Sequence, residues 1–316
     1  MFNRYWRDYP WWMQIMQFGL MVSIFWFFAP AIEYVIVLVT DISPKLIRDV
    51  NENSATKVIN AVILLQFVSA IFIFLLPPVL FAYATHPKPM QYIGFRKPGK
   101  PIQLGLSALI ILGILPVGMM MTGWLNQLSL GGVADKINAQ NERITKAMLE
   151  MTSVQGFLST FVTIAILPAI SEELFFRGII FKLSAKRYKN LVAPALISAL
   201  CFTLLHGNIY GMPAIFIDGI ILAVIYYLTG SLWCSILAHF INNGLQVALA
   251  YFGKNNATIQ AINDNNRLPW YMPVAGILVF AVSMYLLWKN RTPLPADWTD
   301  DFAGEVRSDE EESGSY

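Results

Sequence analysis

Long apolar stretches alternate with short polar connections along the chain. Eight of these stretches are long enough, or nearly so, to cross a hydrocarbon layer of about 30 Å. They cover residues 11–39, 58–85, 102–123, 155–181, 191–206, 213–229, 232–252 and 271–288. The pattern predicts an all-α, polytopic membrane protein with about eight transmembrane helices.

Composition supports this fold class and excludes several functions. Of the 316 residues, 56% are hydrophobic and 13% are charged, and the mean hydropathy is +0.53. The N-terminal "MFNRYWRDYPWW" leads into an apolar stretch without a cleavable signal peptide. Cys201 and Cys234 lie in apolar segments and indicate neither a disulfide nor a metal framework. There is no glycine-rich phosphate loop and no nucleic-acid signature, so we expect no nucleic-acid partner, and the apolar spans predict contact with membrane lipid.

Basic residues predict the orientation. With the N-terminus inside, the inner connections carry 14 of the 22 Lys and Arg residues, and the outer connections carry 8. The inner segments "RKPGK" and "KLSAKRYK" are almost purely basic, whereas the outer cations alternate with acids. The positive-inside rule therefore places both termini in the cytoplasm.

Two segments stand apart from the predicted spans. Residues 134–153 place Ile137, Ile144, Met148 and Met151 at helical spacing among charges, which predicts an amphipathic helix on the outer surface. The end of the chain, "RSDEEESGSY", is acidic and weakly apolar, and we expect disorder there. Three divisions are predicted. Residues 1–153 form an N-terminal part of three spans with the amphipathic helix, residues 154–290 form a core of five spans, and residues 291–316 form an acidic disordered tail.

Polar residues inside the predicted spans are candidates for function. The segment "ILPAISEELFFRGIIF" embeds two acids and an arginine in an apolar setting. An ionised side chain at mid-bilayer costs at least about 2.5–3.5 kcal/mol, so such residues usually face a partner or a wet cavity. The acidic, basic and histidine residues within spans are Glu33, Glu172, Glu173, Arg177, His206, Asp218 and His239, and Asn242 and Asn243 follow the last of these on the same span.

Helical spacing sorts these residues by face. Glu173 and Arg177 are four apart, so they share a face and can pair. His239 and Asn243 are also four apart, whereas Glu172 is rotated about 100° from its neighbour Glu173.

Depth groups four of the candidates. At 1.5 Å per residue, Glu172 lies about 15 Å from the inner edge and His206 about 22 Å. By the same rise His239 and Asn243 lie about 10 and 16 Å deep. Within the precision of span boundaries these four residues share one layer. Pro168, one turn before Glu172, removes a backbone hydrogen bond, and we weigh an opening for water there equally with an ordinary packing kink.

These side chains suggest hydrolysis by either of two routes. A carboxylate and an imidazole that share a water form a general base, and an imidazole with an amide on one face forms an oxyanion hole. Alternatively, Glu172, His206 and His239 are the ligand types that hold a catalytic zinc. The residues alone leave both routes open, so the cofactor is either none or zinc.

Non-catalytic functions are also consistent with the pattern. The polar groups could tie helices together in a membrane scaffold or immunity protein, or bind an ion in a transporter. A transporter typically has paired repeats, whereas here the polar residues crowd into spans four to seven. Asp218 and Glu33 have no obvious partner at their depth, so we interpret them as packing residues or water contacts. The sequence contains no HExxH, GxSG or GxGD motif.

Three motifs resemble those of the CPBP family, which includes CAAX prenyl endoproteases, bacteriocin-processing proteins and abortive-infection-like proteins. "EELFFR" fits EExxxR, "FTLLH" fits FxxxH and "HFINN" fits HxxxN, in the expected order. The lead-in "YYLTGSLWCSILAH" is also similar, and the resemblance covers residues 155–252. It implies an eight-helix intramembrane endopeptidase, with either a metalloprotease or a metal-free glutamate mechanism.

The resemblance also implies residue roles. Glu172 would activate water with help from His206, and His239 and Asn243 would stabilise the oxyanion. The ion pair of Glu173 with Arg177 would fix the first motif.

The sequence departs from the family pattern at Asp218, where a small or apolar residue is more usual. The chain's compact size and expected cytoplasmic N-terminus suit a bacterial plasma membrane protein. We therefore expect a peptide precursor or a membrane-protein segment as substrate, rather than a prenylated protein.

Overall fold

The structure is a computed structural model that describes residues 5–188, 190–256, 259 and 268–302. This part of the chain is helical, and it contains no strand. The main helices are α1 (Trp11–Thr40), α2 (Pro44–Arg48), α3 (Thr56–Thr85), α4 (Pro89–Ile93), α5 (Ile102–Leu125), α6 (Gly132–Leu149), α7 (Val154–Tyr188), α8 (Val192–His206), α9 (Met212–Thr229), α10 (Leu232–Phe252) and α11 (Tyr271–Lys289).

Each of the eight predicted spans is a helix, which confirms the polytopic membrane fold. Among the described residues, six helices are long and apolar enough to cross a membrane: α1, α3, α5, α7, α9 and α11. The other two predicted spans differ for visible reasons. Helix α8 has only 15 residues, and α10 has 21 residues but carries a histidine and two asparagines. The count of eight crossings therefore stays a prediction.

Prolines account for the irregular turns of the long helices. Helix α1 breaks at Phe28, just before Pro30. Helix α3 passes through a π-helical segment, Ile71–Leu75, before Pro77 and Pro78. A proline has no N–H for the preceding turn and its ring crowds the carbonyl four residues earlier, so the backbone adjusts on its N-terminal side.

Helix α6 agrees with the predicted amphipathic helix, with its bounds shifted by a few residues, and its location on the outer surface stays a prediction. Its C-terminal turns bury Ala147 and Met148, and the partly buried Ile144 packs against the same apolar cluster. Ile137, nearer its start, remains 39% exposed. The helix therefore rests on the bundle by its second half.

The two described ends of the chain lie on the same side of the bundle. Nη1 of Arg7 donates to the carbonyl oxygen of Asp301 over 3.1 Å. Nε2 of His86, just after α3, is 3.1 Å from the same oxygen. This neighbourhood agrees with an even number of crossings, while the cytoplasmic location of both termini stays a prediction.

Residues 291–302 differ from the predicted disordered tail. Leu294 is buried, and its N–H donates to the carbonyl of Tyr227 at the end of α9. Trp298 stacks on Phe181 of α7 with 5.5 Å between ring centroids. The acidic composition suggested solvation, but these apolar side chains cover the ends of two helices. The rest of the predicted tail, residues 303–316, lies outside the described residues, and the three-part division stays a prediction.

The carboxylate of Asp301 is the counter-ion of two buried lysines at this end of the bundle. Its carboxylate pairs with Lys186 and lies 3.9 Å from Nζ of Lys182, both on α7. All three side chains are at least nine-tenths buried. Two ammonium groups enclosed near the membrane require a nearby anion, because burial of an unpaired charge is costly.

We expect Asp301→Asn to destabilise the folded protein by about 3 kcal/mol, because it removes one partner of a buried ion pair. The midpoint of thermal unfolding in detergent should fall. Asp297→Asn is the matched control, since Asp297 is exposed in the same segment. Equal midpoints for the two variants would contradict this role of Asp301.

Candidate active site

Helix α7 carries two adjacent acids where its backbone departs twice from α-helical geometry. It is π-helical over Val162–Ile166, α-helical over Leu167–Glu173 and π-helical again over Leu174–Phe181. Single π turns within α-helices are rare and occur frequently at functional sites. The directions in which Glu172 and Glu173 leave the helix are therefore set by irregular turns on both sides.

Glu172 faces two imidazoles. Its Oε2 atom is 3.7 Å from Nε2 of His206 and 3.9 Å from Nε2 of His239. This oxygen is buried and accepts no hydrogen bond from the described residues. The side chains of Glu172 and His206 remain 14% and 30% exposed. Because separations above 3.5 Å exceed a direct hydrogen bond, the geometry suits a water that contacts these groups.

The partners of Nδ1 fix the orientation of both rings. Nδ1 of His206 is 2.7 Å from the carbonyl oxygen of Phe202, and Nδ1 of His239 is 3.0 Å from Oε1 of Glu173. A carbonyl and an ionised carboxylate only accept hydrogen bonds, so each Nδ1 carries a hydrogen and donates. In the neutral rings, Nε2 then presents a lone pair toward Glu172. Three acceptor atoms face one another, and a proton, a water or a cation must mediate between them.

Glu173 belongs to a fully buried ionic network. Its Oε1 atom accepts from Nη1 of Arg177 over 2.7 Å and from Nδ1 of His239. Nη2 of Arg177 donates to the carbonyl of Gly219 on α9 over 2.9 Å. The guanidinium also lies 4.8 Å from the ring centroid of Phe202 on α8. One ion pair thus joins α7, α8, α9 and α10, and Glu173 orients His239 as a carboxylate behind an imidazole.

Asn243 fixes α10 to the first π segment of α7. Its Nδ2 atom donates to the carbonyl of Ile164 over 3.1 Å, and its Oδ1 accepts from Asn242 over 3.2 Å. Ile164 is four residues before Pro168, which has no N–H to offer that carbonyl. The asparagine therefore supplies a donor that the proline lacks. One N–H of the Asn243 carboxamide is left for another acceptor.

The turn after α8 is bonded to the amphipathic helix α6. Nδ2 of Asn141 donates to the carbonyl of Gly207, which takes φ +60° to end α8. The hydroxyl of Tyr210 donates to Asp135, and Ser129 donates to the second carboxylate oxygen. These two hydrogen bonds hold the pKa of Asp135 below its ordinary value. The C-terminal end of α8, which carries His206, is thus fixed by hydrogen bonds in which α6 takes part.

A family comparison covers this set of helices. The family model described as type II CAAX prenyl endopeptidase Rce1-like matches residues 154–245. This match supports the CPBP (CAAX protease) family for this segment of the chain. The resemblance seen in the three sequence motifs is therefore confirmed. The matched residues run from the start of α7 into α10 and include all of the predicted site residues.

The description of one similar protein names no function. An Escherichia coli protein described as "Uncharacterized 24.3 kDa protein" is 26% identical over 166 residues, which are 51% of this chain and 69% of the relative. No solved structure matches the chain.

The zinc alternative needs Glu172, His206 and His239 to converge on one point. Their donor types, one carboxylate and two imidazoles, are those of a catalytic zinc site. Among the residues that the structure describes, however, no group of three or more His, Cys, Asp or Glu side chains is placed to hold a metal ion. The chemistry below therefore uses only protein groups and water.

Two features of the site were not predicted from the sequence. The contact of Glu173 with His239 was missed because spacing along one helix does not reveal which acid faces another helix. Asp218 was interpreted as lacking a partner, yet it lies close enough to Arg177 and His239 to interact electrostatically with both. The signal available in the sequence was the acidic character of Asp218 itself within an apolar span.

We expect the three histidines to adopt two different tautomers when their imidazole rings are neutral. His206 and His239 should carry hydrogen on Nδ1, whereas His86 should carry it on Nε2, because Nδ1 of His86 accepts from the N–H of Lys88. Nitrogen NMR of ¹⁵N-histidine-labelled protein distinguishes the tautomers, and single His→Gln variants assign the three signals. Hydrogen on Nε2 of neutral His206 or His239 would contradict the arrangement around Glu172.

Proposed function

We propose that the protein is an intramembrane endopeptidase that hydrolyses a peptide bond in a membrane-associated peptide or protein. The observation that carries this proposal is the placement of Glu172 Oε2 opposite the Nε2 atoms of His206 and His239. The match to the CAAX protease family supports it. A partly accessible carboxylate flanked by two imidazoles is suited to binding and deprotonating a water.

Glu172 acts as the general base in this mechanism. The water donates one hydrogen to Glu172 and is held by His206, which is the more exposed imidazole. As the water oxygen attacks the peptide carbonyl carbon, its proton passes to the carboxylate. The C–N bond of the tetrahedral intermediate then breaks, and Glu172 returns the proton to the leaving nitrogen, so that the base is regenerated.

His239 and Asn243 stabilise the oxyanion. His239 can donate from Nε2 only as an imidazolium, because its Nδ1 already donates to Glu173, and Glu173 is then its counter-ion. Asn243 contributes the N–H that is not bonded to Ile164. Donors fixed before the reaction stabilise developing charge without reorganising.

The buried pair of Glu173 and Arg177 has a positioning role. Glu173 holds the ring of His239, and Arg177 holds Glu173 while it anchors α9 through Gly219. Neither group is accessible, so neither is placed to touch a substrate.

The class of substrate is proposed from the family match and the expected bacterial membrane location. The family name refers to prenylated CAAX proteins. For this chain we propose a peptide precursor or a membrane-protein segment, cleaved in a bacterial plasma membrane with both chain termini in the cytoplasm. A non-catalytic scaffold or immunity protein on the same fold is the alternative, and it would not depend on the base.

We expect Glu172→Gln to lower proteolysis by at least about 10³-fold, because it removes the base and keeps the shape of the side chain. The measurement is a comparison of new peptide termini in membranes that contain the wild-type protein or the variant. Glu52→Gln is the matched control, since Glu52 is an exposed acid in a connection. Unchanged termini in the folded Glu172→Gln protein would favour the scaffold.

We expect peptide cleavage to persist in the presence of a metal chelator. Purified active protein should contain far less than one zinc per chain, because the proposed base acts on water directly. Elemental analysis and cleavage with and without 1,10-phenanthroline test this. Stoichiometric zinc, with activity lost to chelator and restored by zinc, would establish the metal route instead.

A further inference from the structure

Asp218 is an unpaired carboxylate beside the catalytic residues. It lies within α9, is half-buried, and interacts electrostatically with His239 and Arg177. Within the described part of the chain, its side chain has no hydrogen bond and no ion pair. Ionisable groups inside a membrane protein usually face a partner or a functional cavity. This carboxylate is therefore a candidate for binding a ligand.

A glycine brings Asp218 to this position. A Cβ atom on Gly219 would lie 3.0 Å from Cα of Ala199, so the absence of a side chain allows α9 to approach α8 closely. At the same turn the carbonyl of Gly219 accepts from Arg177. The turn of α9 that contains Asp218 therefore lies beside Arg177, which agrees with the electrostatic interaction between these two residues.

The charges around Arg177 do not balance. Three carboxylates, those of Glu173, Glu172 and Asp218, interact with this single guanidinium. Only Glu173 bonds to it directly. With Asp218 ionised and His239 as the imidazolium of the proposed mechanism, three carboxylates face two cations, so one negative charge remains uncompensated in a setting of low dielectric constant. A positively charged group that enters from the substrate would be attracted to this site.

We propose that Asp218 is a specificity-determining residue that binds a lysine or arginine side chain of the substrate close to the scissile bond. This inference rests on the proposed endopeptidase function. Asp218 suits this role because its carboxylate has no internal partner, whereas Glu173 is enclosed and Glu172 is committed to water. A charge-assisted hydrogen bond to Asp218 would favour a cationic over a neutral residue of similar length by about tenfold or more.

The test uses the purified full chain and a set of internally quenched apolar peptides. Each peptide carries lysine, arginine or norleucine at one of the positions around the cleaved bond. We expect kcat/KM for the best lysine or arginine position to exceed that for norleucine by about tenfold. Asp218→Asn should bring this ratio close to one, and Asp49→Asn, a change at an exposed loop residue, should leave the ratio unchanged.

Failure of this inference is distinguishable from failure of the proposed function. If the wild-type protein cleaves the peptides and Glu172→Gln does not, but the ratio is near one or is unchanged by Asp218→Asn, the assignment of Asp218 is wrong. If no peptide is cleaved, binding of the lysine and norleucine peptides to the Glu172→Gln protein decides. Tighter binding of the lysine peptide that is lost on adding Asp218→Asn supports the assignment, and equal binding overturns it.

Discussion

A charge buried in a membrane bundle must meet its counter-charge, and the pair formed by Glu173 and Arg177 meets this constraint at the centre of the molecule. Both side chains are fully enclosed. Neither partner can move without exposing the other, since a single buried charge is far more costly than the pair. The carboxylate therefore orients His239, while the guanidinium holds Gly219 and lies over Phe202. One ion pair therefore contacts three neighbouring helices directly beside Glu172.

The pairing of Glu173 with Arg177 could be predicted from their spacing of four residues. The contact of Glu173 with His239 could not. Which of two adjacent acids faces a given helix depends on rotation about the helix axis, and the two π segments of α7 change that rotation. The same limit applies to Asn243. Its place on the face of His239 was predictable, whereas its bond to Ile164 depends on how the backbone around Pro168 is arranged. Glu172, His206 and His239 were found because residues so polar are rare within apolar stretches.

The fold was predicted more completely than the ends of its helices. Length and hydropathy located all eight helices, because a membrane leaves few alternatives to a helix for an apolar segment. Composition misjudged residues 291–302, since it registers acids and prolines without registering what they contact. Lys182 and Lys186 lie more than a hundred residues earlier in the chain and are the reason that Asp301 is enclosed. A contact between such distant residues is invisible to any local pattern.

Helix α8 has a consequence for the surrounding lipid. Its 15 residues measure only about 22 Å, against about 30 Å of hydrocarbon. Leu196, Leu200 and Leu204 are exposed along it, so this short helix forms part of the outer wall of the bundle. Acyl chains beside it must shorten or tilt to match. A bilayer that α8 crosses is therefore expected to be thin next to His206, which would bring headgroups and their hydration water nearer to Glu172.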